Sequence, residues 1–164
     1  MDANSRTLLW QQFGASVDML ENAMRACPDA VWGARLHERE FWYVAYHTLF
    51  WLDYYLAETP DGFAPPAPYG LEEFDPEGQL PPRVYSKAEL LEYAAHCREK
   101  ARARLTALTP EDAARVFKFG RNAMPTEERM LYTMRHLHHH AGQLNLLLRQ
   151  AGVEPPRWVS RAKE

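Results

Sequence analysis

The sequence predicts an all-α fold, a four-helix bundle with one long crossover loop, built as a single domain over residues 1–164. Three observations predict it. Helix-period apolar or continuously apolar stretches occur four times, a proline-rich segment parts the second from the third, and no convincing alternating β run appears. A chain of 164 residues can bury about two thirds of the surface its unfolded form exposes. Its 46% hydrophobic and 25% charged residues are those of an ordinary globular protein, which excludes disorder and fibrous repeats.

In the first stretch, residues 5–27, Leu9, Phe13, Val17, Leu20 and Met24 recur at steps of three and four, and Pro28 ends it. Residues 39–57 are apolar nearly all round, as expected of a helix enclosed by neighbours. Residues 59–85 hold most of the twelve prolines, with Gly62, Gly70 and Gly78, so they form a long irregular connection. Long loops in compact domains are often functional. Ser86 with Glu89 is a capping-box pattern that opens a third helix running to about residue 108. Thr109-Pro110-Glu111-Asp112 starts one short helical turn. Gly120 and Pro125 then bracket a loop. Thr126, followed by Glu127 and Glu128, is the expected N-cap of the last helix, which Gly152 and Pro155-Pro156 stop.

The balance of 19 Lys+Arg against 22 Asp+Glu leaves a net charge of -3, with the basic residues scattered, so no nucleic-acid partner is expected. Cys27 and Cys97 belong to no CxxC pair and read as reduced thiols. The N-terminus lacks a secretory pattern and no stretch has the uncharged apolar length of a membrane span, so a soluble cytoplasmic protein with no membrane partner is expected.

Four of the seven histidines fall within residues 136–140. On a helix, side chains at i and i+4 lie one above the other, so His136 and His140 can converge on one metal ion. His138 and His139 have no i±4 histidine, although the i+3 pair His136/His139 remains open. Helical angles set His136, His140, Gln143 and Leu147 beside a core stripe of Met130, Met134, Leu137, Ala141, Leu144 and Leu148, and point His139 away from it. His47 is the leading third ligand. It lies within the most apolar helix, where an imidazole needs a partner, either a neighbouring tyrosine or carbonyl or a shared ion. His37 and His96 read as surface residues. No Glu stands inside the HxxxH spacing, which removes the usual base of a metalloprotease. Three neutral nitrogens leave a position open for water or substrate, and zinc, nickel or iron would accept such a site.

The segments HLHHHAGQLNLLLR and AYHTLFWLDYYL resemble the DinB-like superfamily of four-helix bundles, whose relatives include YfiT-type metal-dependent hydrolases and bacterial thiol-dependent transferases. The first is similar to that family's HxxxHxGQ pattern. The resemblance implies His47, His136 and His140 as ligands of one divalent ion, zinc or nickel. It also implies a low-molecular-weight thiol as cosubstrate. Gly142 would permit a close helix approach, and Gln143 either supports His140 or is a surface amide. His138 is an extra histidine in the pattern.

Asp53 and Tyr55 flank Tyr54, which shares the face of His47 at i+7 and either meets a metal-held water or packs in the core. Trp42 and Trp51 are expected to pack. Arg121 could meet an anion or be solvated. Trp158 either folds back or meets a second subunit, and with the apolar second helix it leads to the expectation of a homodimer. Two functions follow: a transferase or hydrolase whose ion activates water or a thiol on a small molecule, or a non-catalytic metal- or ligand-binding stress-response protein.

Overall fold

The computed structural model describes residues 2–35 and 39–162, so His37 lies outside the described residues. The chain is mostly helical. Helix α1 (Ala3–Ala26) starts where the Asp2 carboxylate accepts from the Ser5 backbone N–H at 2.7 Å, and it buries Phe13, Val17, Leu20 and Met24. A short α2 (Asp29–Trp32), absent from the sequence reading, sets Trp32 so that its Nε1–H donates to the Tyr85 carbonyl at 2.8 Å. Helix α3 (Phe41–Tyr55) buries eleven of its fifteen residues, as its nearly continuous apolar sequence requires.

The long connection is irregular apart from one 3-10 turn, Glu72–Phe74. It is not loose, because Tyr69 stacks on Tyr93 with ring centroids 4.2 Å apart and Tyr85 packs on Tyr46. Helix α4 (Lys87–Thr106) opens with the expected capping box between Ser86 and Glu89, and α5 (Pro110–Ala114) is the short turn capped by Thr109. Helices α1 and α3 each pack against both α4 and α6 (Thr126–Gln150), enclosing a continuous apolar core.

Two expectations need correction. The segment between Gly120 and Pro125 is not a plain loop: β1 (Val116–Phe119) and β2 (Asn122–Pro125) pair antiparallel, with Phe119 opposite Asn122 and Val116 opposite Pro125. Gly120, at φ +53°, supplies the turn conformation that a side chain resists. Phe117 and Phe119 point inward while Val116 and Lys118 face out, an alternation too short to stand out in sequence. Nor is Thr126 the N-cap of α6. Pro125 occupies that position, and Thr126 is spent tying the hairpin's base, since both its N–H and its hydroxyl donate to the Arg115 carbonyl at 2.9 Å.

The C-terminal segment returns along α1. The Ala162 N–H donates to the Gln11 carbonyl, and a Cβ at Gly14 would stand 2.6 Å from that of Ala162, so the return path needs glycine there. The segment folds back as one of the two expectations had it, while the Trp158 ring itself stays 67% exposed.

Candidate metal centre

His47 lies midway along α3 and His136 and His140 one turn apart on α6, and one nitrogen from each falls within 4.8 Å of the other two. The His136 and His140 Nε2 atoms are 3.1 Å apart. The ring centroid of His47 is 5.5 Å from that of His136 and 4.9 Å from that of His140. Packing of α3 against α6 thus delivers what the i, i+4 spacing alone cannot, a third imidazole from another element.

The second nitrogen of two of these rings is held from outside. His47 Nδ1–H donates to Glu73 Oε2 at 2.6 Å. A carboxylate can only accept, so the proton sits on Nδ1 and the Nε2 lone pair is free. His140 Nδ1–H donates to the Gln143 side-chain oxygen at 2.6 Å, with the same result. These are the outer-shell contacts by which proteins orient metal-binding histidines. His136 differs, since its Nδ1 is buried and has no hydrogen-bond partner. Burial first, then the nearby positive forms of the other histidines, lower its pKa to about 3. Burial likewise lowers His140 to about 4, against the opposing pull of Gln143. Both rings are therefore neutral, as ligands must be, throughout the physiological range.

Glu73 is the residue that sequence reading missed. It sits on the 3-10 turn of the long connection, and Trp51 Nε1–H donates to the same Oε2 at 2.8 Å. Burial pulls its pKa up, but hydrogen bonds from His47, Tyr43 and Trp51 outweigh that and hold the carboxyl below its ordinary value. The signal available was an acidic pair inside a long loop. Nothing in the sequence says which helix that loop lies on.

The remaining candidates are settled by their surroundings. Tyr54 turns away into an aromatic cluster with Phe63, Phe74 and Phe117, so it is a core residue, and its neighbour Tyr55 instead meets His136 edge-on at 6.0 Å. Asp53 is buried against α4 and takes no part in the triad. Trp42 packs as expected, whereas Trp51 also positions Glu73. Gly142 is exposed with nothing near its absent side chain, so it serves no close helix approach. His139 is exposed, His138 lies against Trp158 at 5.3 Å, and Arg121 is exposed at the hairpin turn. A cavity of about 610 Å³ between α1, α6 and the C-terminal segment is lined by Met19, Tyr132, Met134 and Trp158 and reaches His136.

The sequence profile of the DinB superfamily matches residues 12–144, more than half of the chain. The chain belongs to the DinB superfamily. Its fold is similar to the crystal structure of YjoA, a DinB-like protein from Bacillus subtilis, with a TM-score of 0.66 over 95% of this chain and 99% of that one. The two are 15% identical, a level at which the likeness concerns the fold. No curated protein matches the chain. Among the described residues, no helix is long and apolar enough to cross a membrane.

The donor set fits a divalent ion of the zinc or nickel kind. Three neutral imidazoles suit such metals, and two of the three are oriented by an outer partner.

Proposed function

We propose that this chain is a cytoplasmic, metal-dependent enzyme on a DinB-type four-helix bundle, in which His47, His136 and His140 hold one zinc or nickel ion that acts on a small molecule. The observation that carries the reading is the convergence of three imidazoles from α3 and α6, with the free lone pairs of His47 and His140 defined by Glu73 and Gln143. When bound, such an ion supplies a Lewis acid that lowers the pKa of a water or thiol. The chain's own part is positional. Glu73 and Trp51 fix the ring of His47, Gln143 fixes that of His140, and Tyr55, packed on Phe119, meets His136 on the hairpin side.

Glu73, the carboxylate touching the triad, is already engaged by three donors, so it is poorly placed to serve as a free general base. That favours transfer from a low-molecular-weight thiol over hydrolysis, because a thiol starts with a pKa far closer to neutral than that of water and asks less of a base. Cys97 cannot supply the thiol, being buried with a pKa raised well above the ordinary value. The cavity lined in part by His136, though not by His47 or His140, gives room for a small molecule beside the triad.

Metal analysis of the purified chain tests the first half of this reading. About one ion per chain is expected, and much less in His140→Ala and His47→Ala; unchanged content in both would remove the site. The second half is tested by assaying metal-loaded protein with electrophiles in the presence and absence of small thiols, with His136→Ala as the blank. Equal rates for protein and blank would leave metal binding without turnover. The same reading has the chain act as a homodimer through the exposed Leu131, Leu146 and Trp158 of α6 and the C-terminal segment, and light scattering that gave a 19.0 kDa particle would exclude it.

A further inference from the structure

Arg129, the fourth residue of α6, is wholly buried, and its Nε and both terminal nitrogens have no hydrogen-bond partner among the described residues. Its guanidinium carbon stands 3.8 Å from the centre of the Phe117 ring. That contact offsets part of the loss of hydration, but an aromatic face is no substitute for directed acceptors to five N–H groups. Buried charges in native proteins are paired, and this one is not. A second guanidinium is near enough for its charge to act on Arg129. Arg104 of α4 also has a buried Nε without a partner, and its one carboxylate, Glu58, bonds NH1 at 2.9 Å from the solvent side. Burial first, then the charge of Arg104, lower the pKa of Arg129 to about 10, so it remains a cation at neutral pH. The region between the hairpin and the end of α3 therefore carries a surplus of positive charge and of unmet donors.

We infer that Arg129, with Arg104 beside it, receives the oxyanion of a small molecule, a carboxylate or a phosphate, that enters under the β1–β2 hairpin. A planar guanidinium matches either group with paired hydrogen bonds, which distinguishes this place from a lysine-lined surface. The hairpin is the element that would have to yield: its two four-residue strands pair with each other alone among the described residues, so the inward packing of Phe117 and Phe119 and the Thr126 bonds to Arg115 hold it down. Lifting Phe117 by a few ångström exposes the donors.

The position matters for the substrate class, a point that rests on the metal-site reading above. Arg129 precedes His136 by seven residues, so both lie on one face of α6, about 10 Å apart along the axis. Tyr132 lies between them and lines the same cavity as His136. A molecule anchored by its oxyanion at Arg129 thus presents an atom about 10 Å away to the histidines.

The test uses the metal-free full-length chain and inorganic phosphate, with sodium chloride at equal ionic strength as reference and thermal unfolding as the readout. Wild type and His140→Ala are expected to gain a saturable rise in Tm from phosphate beyond that from chloride, and Arg129→Met is expected to gain none. In chloride alone, Arg129→Met should be at least as stable as wild type, because it removes an unpaired charge. Phe117→Ala, which uncovers the guanidinium, should bind phosphate several-fold more tightly, and this holds the inference open to refutation if Arg129→Met folds poorly. An equal phosphate response in wild type and Arg129→Met, or none in wild type or in Phe117→Ala, overturns it. A phosphate response lost in His140→Ala also overturns it, since the anion would then sit at the histidines. Metal content in Arg129→Met should match wild type, so failure of the metal reading and failure of this one are seen separately.

Discussion

Helix α3 carries His47 and Asp53 six residues apart, and their fates differ. Asp53 faces α4 and is fully met: Oδ1 accepts from Lys100 Nζ at 2.5 Å, Oδ2 accepts from the Tyr93 hydroxyl at 3.1 Å, and Lys100 reaches the Asp53 carbonyl as well. His47 faces α6, where its Nδ1 is met by Glu73 while its other nitrogen turns toward two more imidazoles. Among the three rings one hydrogen bond can form, between the Nε2 atoms of His136 and His140 at 3.1 Å, and it leaves the second nitrogen of His47 outside the pair. On the proposed metal reading, the difference separates a polar group kept for the fold from one kept for a ligand: in the first the protein supplies every partner, and in the second it stops one short.

Zinc should show this contrast most strongly. At a free zinc concentration a thousandfold above Kd, ligand linkage stabilises the wild-type chain by about 4 kcal/mol. The same addition should leave His47→Ala unmoved and should still stabilise Asp53→Ala. Thermal unfolding with and without a chelator measures it, and an equal zinc response in wild type and His47→Ala would erase the distinction.

Stability without metal should rank the two residues the other way. Asp53→Ala strands a lysine and a buried tyrosine hydroxyl, a loss of about 3 kcal/mol. His47→Ala, whose side chain is 28% exposed and whose carboxylate partner keeps Trp51 and Tyr43, should cost about 1 kcal/mol. Urea denaturation of the metal-free variants decides the order. If His47→Ala proved the more damaging, His47 would be a structural residue first.

Much of this contrast could be read from the sequence, and the part that could not has a physical reason. The i, i+4 pair and an imidazole in an apolar helix are local patterns, so His136, His140 and His47 were visible as candidates, as were the long helices and the Ser86–Glu89 box. Glu73 was not, because its role depends on where a 27-residue connection lands, and loop paths are set by many weak contacts such as Tyr69 on Tyr93. The hairpin was hidden because four alternating residues are too few to outweigh a helical reading on either side. Tyr54 could be read two ways, because helical angles put it on the face of His47, and only its contacts with Phe63, Phe74 and Phe117 decide for packing. Arg129 could not have been singled out at all, since an arginine in a helical first turn reads as solvated until the hairpin is laid over it.

Replacing Glu73 with Gln sharpens the comparison at one atom. The amide keeps the size of the carboxylate but loses its charge, so the ring of His47 is held less firmly. Metal affinity should drop 10- to 100-fold, as for other outer-shell carboxylates, with stability little changed. Competition against a chelator of known affinity measures this. Unchanged affinity would mean that Glu73 orients nothing, and that His47 meets it by proximity alone.

The smallest expected effect belongs to a polar group that the protein also satisfies fully, but at the surface. Glu89 accepts from Arg83 and from the backbone and hydroxyl of Ser86, and those bonds, that from Arg83 foremost, lower its pKa to about 2. Because the folded value lies below the unfolded one of about 4.5, its contribution is complete above pH 4.5 and is lost as pH falls toward 2. Ser86→Ala should therefore cost about 1 kcal/mol at pH 7, and Glu89→Gln no more than that. The gap between wild type and Glu89→Gln should stay constant from pH 7 to about 5 and close by about pH 2, where wild type carries the same neutral group. Urea midpoints at a series of pH values would show it. A gap that persisted at pH 2 would mean that the box acts through shape and not charge. Its distance from Asp53 in energy would then reflect burial alone, since both sites have every partner and only one is shielded from water.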